Sequence, residues 1–202
     1  MSRERVRPTR EETRARLFEA AAGVFAEHGI GGATIEQIAS AAGFTRGAFY
    51  SNYATKDELL LAMYEDHCER STAAALALLD AHPDAVDFVE ALRAEEHREG
   101  DPLHNNPILQ IELILHVARK PELRPALAAR LRTMRTVIGE ISVSSLRAAG
   151  LDAPIAVQEV GALLLAIEDG FLLHRLIDPD STPADAYLDA IAQLQALVLG
   201  AR

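Results

Sequence analysis

From Thr9 onward, apolar side chains return every three or four residues, and the runs end at residues that stop helices. Thr9-Arg-Glu-Glu12 is a capping box, with Leu17, Ala21, Val24 and Phe25 at helical spacing behind it and Gly29 as the stop. A second box, Thr34-Ile-Glu-Gln37, opens a short helix that ends at Gly43. Thr45 caps another short helix, about Thr45–Ser51, and Thr55 caps a long one from Lys56. Further breaks fall at Asp80–Asp84, Arg98–Pro107, Lys120–Pro125, Gly150–Pro154 and Asp178–Pro183, each holding proline or glycine. No stretch alternates β-branched residues with polar ones. The expected fold is all-α, with about nine helices.

Charge divides the chain. Thirty acidic residues against twenty basic ones give a net charge of −10, which speaks against a surface that binds nucleic acid throughout. Residues 1–60 carry eight Lys/Arg and eight Asp/Glu, so the remainder holds the entire deficit. The first sixteen residues carry six arginines against three glutamates, a local +3. Two domains with different partners are expected, a charge-balanced one over 1–54 with a basic arm and an acidic helical one over 55–202.

Other classes are set aside on residue grounds. One cysteine, Cys68, allows no internal disulfide and suits a reducing cytoplasm, the expected location. The longest uncharged run, Ala190–Ala201, falls short of the ~18 residues that span a bilayer. The basic start followed by Ala20–Ala26 imitates a signal peptide, but Glu19 and Glu27 confine the apolar run. His67 and Cys68 are adjacent and point about 100° apart on a helix, so they form no nucleophile–base pair. Glu95-Glu96-His97 lacks the second histidine of a helical zinc motif, and there is no glycine-rich phosphate loop. No enzyme, metal site or cofactor is expected.

Residues 34–56, TIEQIASAAGFTRGAFYSNYATK, are the informative run. Two short helices about Ala41-Ala-Gly43-Phe44 form a helix-turn-helix. The second is too short to persist alone and is expected to be held by Phe44, Ala48 and Phe49 against Ile35, Ile38 and the first helix. It would then present Thr45, Arg46, Gly47, Tyr50 and Asn52 to a major groove. Arg46 can grip guanine O6/N7 or a phosphate, Gly47 allows close backbone approach, and Tyr50 offers a ring and a hydroxyl. Thr45 and Asn52 can equally serve only to cap or solvate helix ends. Thr34 and Lys56 begin their helices, where free N–H groups favour phosphate. The arm residues Arg3, Arg5 and Arg7 either reach DNA or form a solvated tail.

This run resembles the DNA-binding domain of the TetR family of bacterial transcriptional repressors. The match rests on Thr34, Ile38-Ala39, Ala42-Gly43, Tyr50, Tyr53 and Lys56 and covers residues 9–62. The family more often has Val in place of Phe44 and Phe in place of Tyr53, exchanges that bear on base preference rather than fold. Ala118-Arg-Lys-Pro-Glu-Leu-Arg124 and Glu168-Asp-Gly-Phe171 resemble segments of the family's ligand-binding and dimerisation domain.

The resemblance implies a homodimer, a palindromic double-stranded operator and a small-molecule effector of unknown identity. Periodicity supports the dimer independently. Leu163, Ile167, Gly170, His174 and Ile177 form a seam on the helix Pro154–Ile177, beside a second stripe of Val160, Leu164 and Phe171. Tyr187, Ile191, Leu194 and Val198 repeat the pattern on the last helix. Four such helices would build a bundle about a two-fold axis, unless both stripes are filled within one chain. The implied effector cavity has candidate linings in Met63, His67, Ile108, Ile111, Leu115, Met134, Ile138 and Phe171. Glu112 and His116, four apart on one face, would orient a polar ligand group or simply pair between helices. Two other readings stay open: a DNA-binding regulator without an effector, and an all-α interaction protein with no DNA role.

Overall fold

The computed structural model describes residues 8–83, 85–93, 100–148, 150 and 155–200. Among them the chain forms nine helices and no strand: α1 Arg10–Gly32, α2 Ile35–Ala41, α3 Arg46–Tyr50, α4 Lys56–Ala81, α5 Ala85–Arg93, α6 Pro107–Ala118, α7 Arg124–Ala148, α8 Val157–Ile177 and α9 Ala186–Gly200. None of the described helices is long and apolar enough to cross a membrane.

The caps explain where the early helices begin. Thr9 and Glu12 exchange side-chain and backbone bonds at the start of α1, and Thr34 and Gln37 do the same for α2. Thr45 Oγ1 accepts from Ala48 N at 3.2 Å, and Thr55 Oγ1 accepts from Glu58 N at 3.0 Å. Gly29 takes φ +68° and kinks α1 before its last residues, so the stop expected there is a bend. Gly43, at φ +72°, turns the chain between α2 and α3.

The chain divides into two compact units, 1–65 with 99–123 and 66–98 with 124–202. This differs from the division expected at 54/55. The first unit also takes in the opening of α4 and all of α6, because α6 lies against α1 and buries Leu109, Leu113 and Val117. Its core gathers Leu17, Phe18 and Phe25 from α1, Ile38 from α2, Phe49 from α3, and Leu59, Leu60 and Met63 from α4. Each buried side chain of this kind stabilises the unit by about 1.5–3 kcal/mol relative to exposure. Phe49 and Tyr53 meet at 6.1 Å between ring centroids, and Phe18 stacks on Tyr53 at 6.2 Å. Phe44 does not join this core as expected. It is half-buried, under the Arg16 guanidinium.

In the second unit α7 runs against α8, and the contact is unusually close. A Cβ on Gly161 would lie 1.8 Å from the Arg135 carbonyl oxygen, and one on Gly139 would lie 1.9 Å from that of Val157. Gly161 is the one buried residue of α8, whereas Val160, Leu164 and Phe171, expected to face the core, are only half-buried. The α7–α8 backbones have come together where side chains are missing. α5 lies against both α7 and α9. Arg93, ending α5, pairs with Asp185 just before α9 and with Asp189 in its first turn at 2.7 Å. These bonds hold the guanidinium charged well above its ordinary range.

Candidate nucleic-acid interface

The first unit mounts a helix too short to be stable alone on a fixed core. Phe49, fully buried, anchors α3 from beneath. The backbone N–H of Phe44 donates to Ala39 O at 2.8 Å, closing the turn. Arg16, reaching over from α1, donates to Ala42 O at 2.8 Å and lays its guanidinium 4.7 Å from the Phe44 ring centroid. This clamp was not anticipated from sequence, where Arg16 counted only as part of a basic segment. Its spacing of 26 residues from Ala42 carries no local signal.

On the outer side of α3, Arg46, Gly47 and Tyr50 are exposed, as is Thr45 before them. Tyr50, 44% exposed, meets Phe49 edge-on at 5.8 Å. The Arg46 guanidinium sits 5.4 Å from the Tyr50 ring centroid, and its Nη2 donates to the Tyr50 hydroxyl at 3.3 Å. Its Nη1 lies 2.8 Å from Glu36 Oε1 on α2. The hydrogen bond to Tyr50, then the charge of Glu36, raise the Arg46 pKa above its ordinary value. Two helices therefore meet at one side chain.

The remaining expected contacts divide by occupation. Thr34 is exposed, with its hydroxyl engaged in the α2 cap. Asn52 is half-buried and donates from Nδ2 to Ala48 O at 2.8 Å, which solvates the end of α3. Lys56 has turned inward: Nζ donates to Ala33 O at 2.7 Å and Ile30 O at 2.5 Å, and burial pulls its pKa down. Two of its three N–H donors thus fasten α4 to the last turn of α1 and the residue that follows it, leaving one for a further acceptor. The arm residues Arg3, Arg5 and Arg7 lie outside the described residues, as do Glu95, Glu96 and His97.

Beside Lys56, Asp57 makes a second tie. Its Oδ1 lies 2.7 Å from His116 Nε2 on α6, and its Oδ2 accepts from Lys120 Nζ at 2.5 Å. Burial opposes the charge, but these two partners prevail and hold the carboxyl below its ordinary value. His116 therefore bonds to α4; of the two roles the sequence offered it, orienting a ligand group with Glu112 or pairing between helices, the contact observed is of the second kind, with Asp57 as its partner.

The expected effector lining draws on both units. Met63, Ile108, Ile111, Glu112, Leu115 and His116 belong to the first unit, and His67, Met134, Ile138 and Phe171 to the second. Met63 and His67 are buried, Ile108 is 59% exposed and Leu115 is exposed. Cys68 Sγ contacts Met134 Sδ at 3.9 Å. None of these expected residues lines either described concavity. One, of 570 Å³, is bounded by Arg10, Glu11, Arg14, Asn52, Tyr53, Glu58 and Ala62; the other, of 430 Å³, lies among Leu173, His174, Leu176, Ile177, Asp178 and Thr182. The described residues hold no group of three or more His, Cys, Asp or Glu suited to a metal.

On α8, Leu163 is 57% and Ile177 88% exposed, and His174 is exposed with them. Ile167 and Gly170 are half-buried, like Tyr187 and Ile191 on α9, while Leu194 is exposed. The Val198 side chain lies outside the described residues.

Comparison with known proteins agrees with this architecture. Residues 17–63 match the family described as bacterial regulatory proteins, tetR family, and residues 83–197 match the tetracyclin repressor-like C-terminal domain. The chain belongs to the TetR family. It is 33% identical over 144 residues to the HTH-type transcriptional regulator CymR of Pseudomonas putida, covering 69% of this chain and 68% of that one. With the HTH-type transcriptional repressor AcnR of Corynebacterium diphtheriae it shares 22% identity over 180 residues, 89% and 90% of the two chains. A TetR-family regulator structure from Rhodococcus sp. superposes with TM-score 0.73 at 22% identity, covering 90% of this chain and 97% of that one. These TetR-family likenesses identify a helix-turn-helix transcriptional regulator fold.

Proposed function

We propose that this TetR-family regulator acts in the bacterial cytoplasm as a homodimeric repressor of a palindromic operator. The observation that carries the proposal is the exposed Arg46–Gly47–Tyr50 face of α3, set on a helix that Phe49 and the Arg16 clamp fix in place. An arginine beside a backbone with no side chain, next to an aromatic hydroxyl, suits a guanine edge, close groove approach and a phosphate in turn. Thr34 and Thr45 extend the phosphate contacts, with secondary parts for Asn52 and Lys56. The exposed apolar residues Leu163, Ile177 and Leu194 support a subunit interface on α8 and α9. A dimer would place two α3 helices at half-sites ~34 Å or a multiple apart. A small molecule bound in the C-terminal domain would favour a state whose two α3 helices no longer match successive grooves. No enzymatic step belongs to this reading.

Selection of duplexes from a random pool at moderate salt tests it. A two-fold consensus selected by the wild-type chain, and lost with Arg46→Ala, is the expected result. Failure to enrich any duplex would overturn it in favour of an interaction protein. Thermal stabilisation by a small molecule, paired with release of the selected duplex, is expected of the effector. A screen yielding neither would leave a DNA-binding regulator without one.

A further inference from the structure

The Arg46 guanidinium reaches the outer surface already paired with a carboxylate from a different helix. Glu36 stands in the first turn of α2, and its side chain is half in solvent. Its Oε1 lies 2.8 Å from Arg46 Nη1, while Arg46 Nη2 reaches the Tyr50 hydroxyl. A guanidinium carries five N–H donors in a planar fork, so these two bonds leave others for a further acceptor. Their direction is no longer free.

We propose that Glu36 is a specificity-determining residue, which holds the Arg46 guanidinium for a base edge and denies it to phosphate. The inference rests on the DNA-binding reading of α3. A phosphate approaching Arg46 closely must also approach the Glu36 carboxylate, and that like-charge contact offsets the attraction. A guanine edge offers O6 and N7 as neutral acceptors, so it meets no such opposition and accepts the fork in one plane. Arginine alone would bind any duplex through its backbone. Arginine joined to Glu36 favours the duplex that offers the right base. The carboxylate lowers adhesion to DNA at large while it positions the reading group, and so it acts through Arg46 as a positioning residue.

The test measures, at several salt concentrations, the affinity of the full chain for three probes. These are the duplex selected by the wild-type protein, its single-base-pair variants, and a random-sequence duplex. Glu36→Ala is expected to bind the random duplex several-fold more tightly. Its discrimination at the base pairs sensitive to Arg46→Ala should fall by about tenfold, within the range of one bidentate base contact. The log–log salt dependence should steepen by about one phosphate equivalent, ~0.9, as Arg46 turns to the backbone. Glu36→Gln, which keeps an acceptor without the charge, should raise random-duplex affinity with a smaller loss of discrimination. Thermal unfolding of each variant should match the wild type, because both partners are largely exposed. An unchanged ratio of specific to random binding in Glu36→Ala, or an equal loss on all three probes, overturns the proposal. If Arg46→Ala loses discrimination and Glu36→Ala keeps it, only the role of Glu36 falls. If the wild type selects no duplex, the DNA-binding reading falls and this inference with it.

Discussion

Gly161 of α8 faces Arg135 of α7 so closely that a Cβ would stand 1.8 Å from the arginine's carbonyl oxygen. Gly139 repeats the relation toward Val157, at 1.9 Å. Both obstacles are backbone, which cannot rotate aside as a side-chain tip can. Gly161→Ala and Gly139→Ala should each force the helices apart and cost at least 1–3 kcal/mol, roughly the range for overpacking. Gly23, exposed in α1 with nothing within 4 Å of its Cβ position, is the contrast. Gly23→Ala should gain about 0.5–1 kcal/mol from helix propensity. Urea unfolding of the three variants checks the sign of each effect.

The helix-turn-helix turn should prove equally intolerant. Gly43 combines φ +72° with the Arg16 Nη2 atom 3.0 Å from its Cβ position. Gly43→Ala should cost about 1–2 kcal/mol for the left-handed backbone and displace the clamp on Ala42 O. Arg16→Met keeps much of the stem over Phe44 while removing the donor, so its penalty should be the smaller. Thermal unfolding orders the two, and a milder Gly43→Ala would contradict the account.

Lys56→Met should lower stability in the absence of any DNA. The Ile30 and Ala33 carbonyls would each lose a charged donor in a part-buried setting, a loss of about 1–3 kcal/mol. If Lys56 served only a phosphate, unfolding would be indifferent to this change, and only the salt dependence of binding would respond.

Acid should expose the tie at Asp57. Its folded-state pKa is depressed, so its stabilising contribution is fully present above the ordinary aspartate value of about 3.9 and fades as pH falls through the lower, folded value. The stability gap between wild type and Asp57→Asn should therefore be constant near neutrality and close below about pH 4. Chemical denaturation at a series of pH values reads this directly. A gap that widens on acidification would reverse the assignment.

Ile177→Glu should change association and leave the monomer folded. At 88% exposure this residue contributes almost nothing to its own chain's core. Sedimentation should show the wild type as a dimer and the variant shifted toward monomer, with unchanged helicity. A wild-type monomer would remove the basis for the palindrome.

The fold was legible because its signals are local. Thr9, Thr34, Thr45 and Thr55 each cap a helix within three residues of themselves, and Gly29 and Gly43 mark bends by their own φ angles. The exposed face of α3 followed from the same local logic, since burying Phe49 leaves Arg46 and Tyr50 outside. What escaped the sequence depends on distance. Arg16 finds Ala42 across 26 residues, and Asp57 finds His116 across 59. Such partners have no periodicity. Lys56 shows the same limit: its place at a helix start suggested a phosphate, while its long stem allowed the ammonium to curl toward two carbonyls. The closeness of α7 and α8 was hidden for another reason, because glycine within a helical pattern signals weakness before it signals a crossing.

Lys56 and Asp57 are consecutive residues of opposite charge, one fastened to the carbonyls of Ile30 and Ala33 and the other to α6. The opening turn of α4 is thereby moored on two sides by ions that cannot slip past one another. A twist of that turn would have to cast off both lines at once, so its pitch is set by neighbours on two other elements of the same unit as well as by its own backbone.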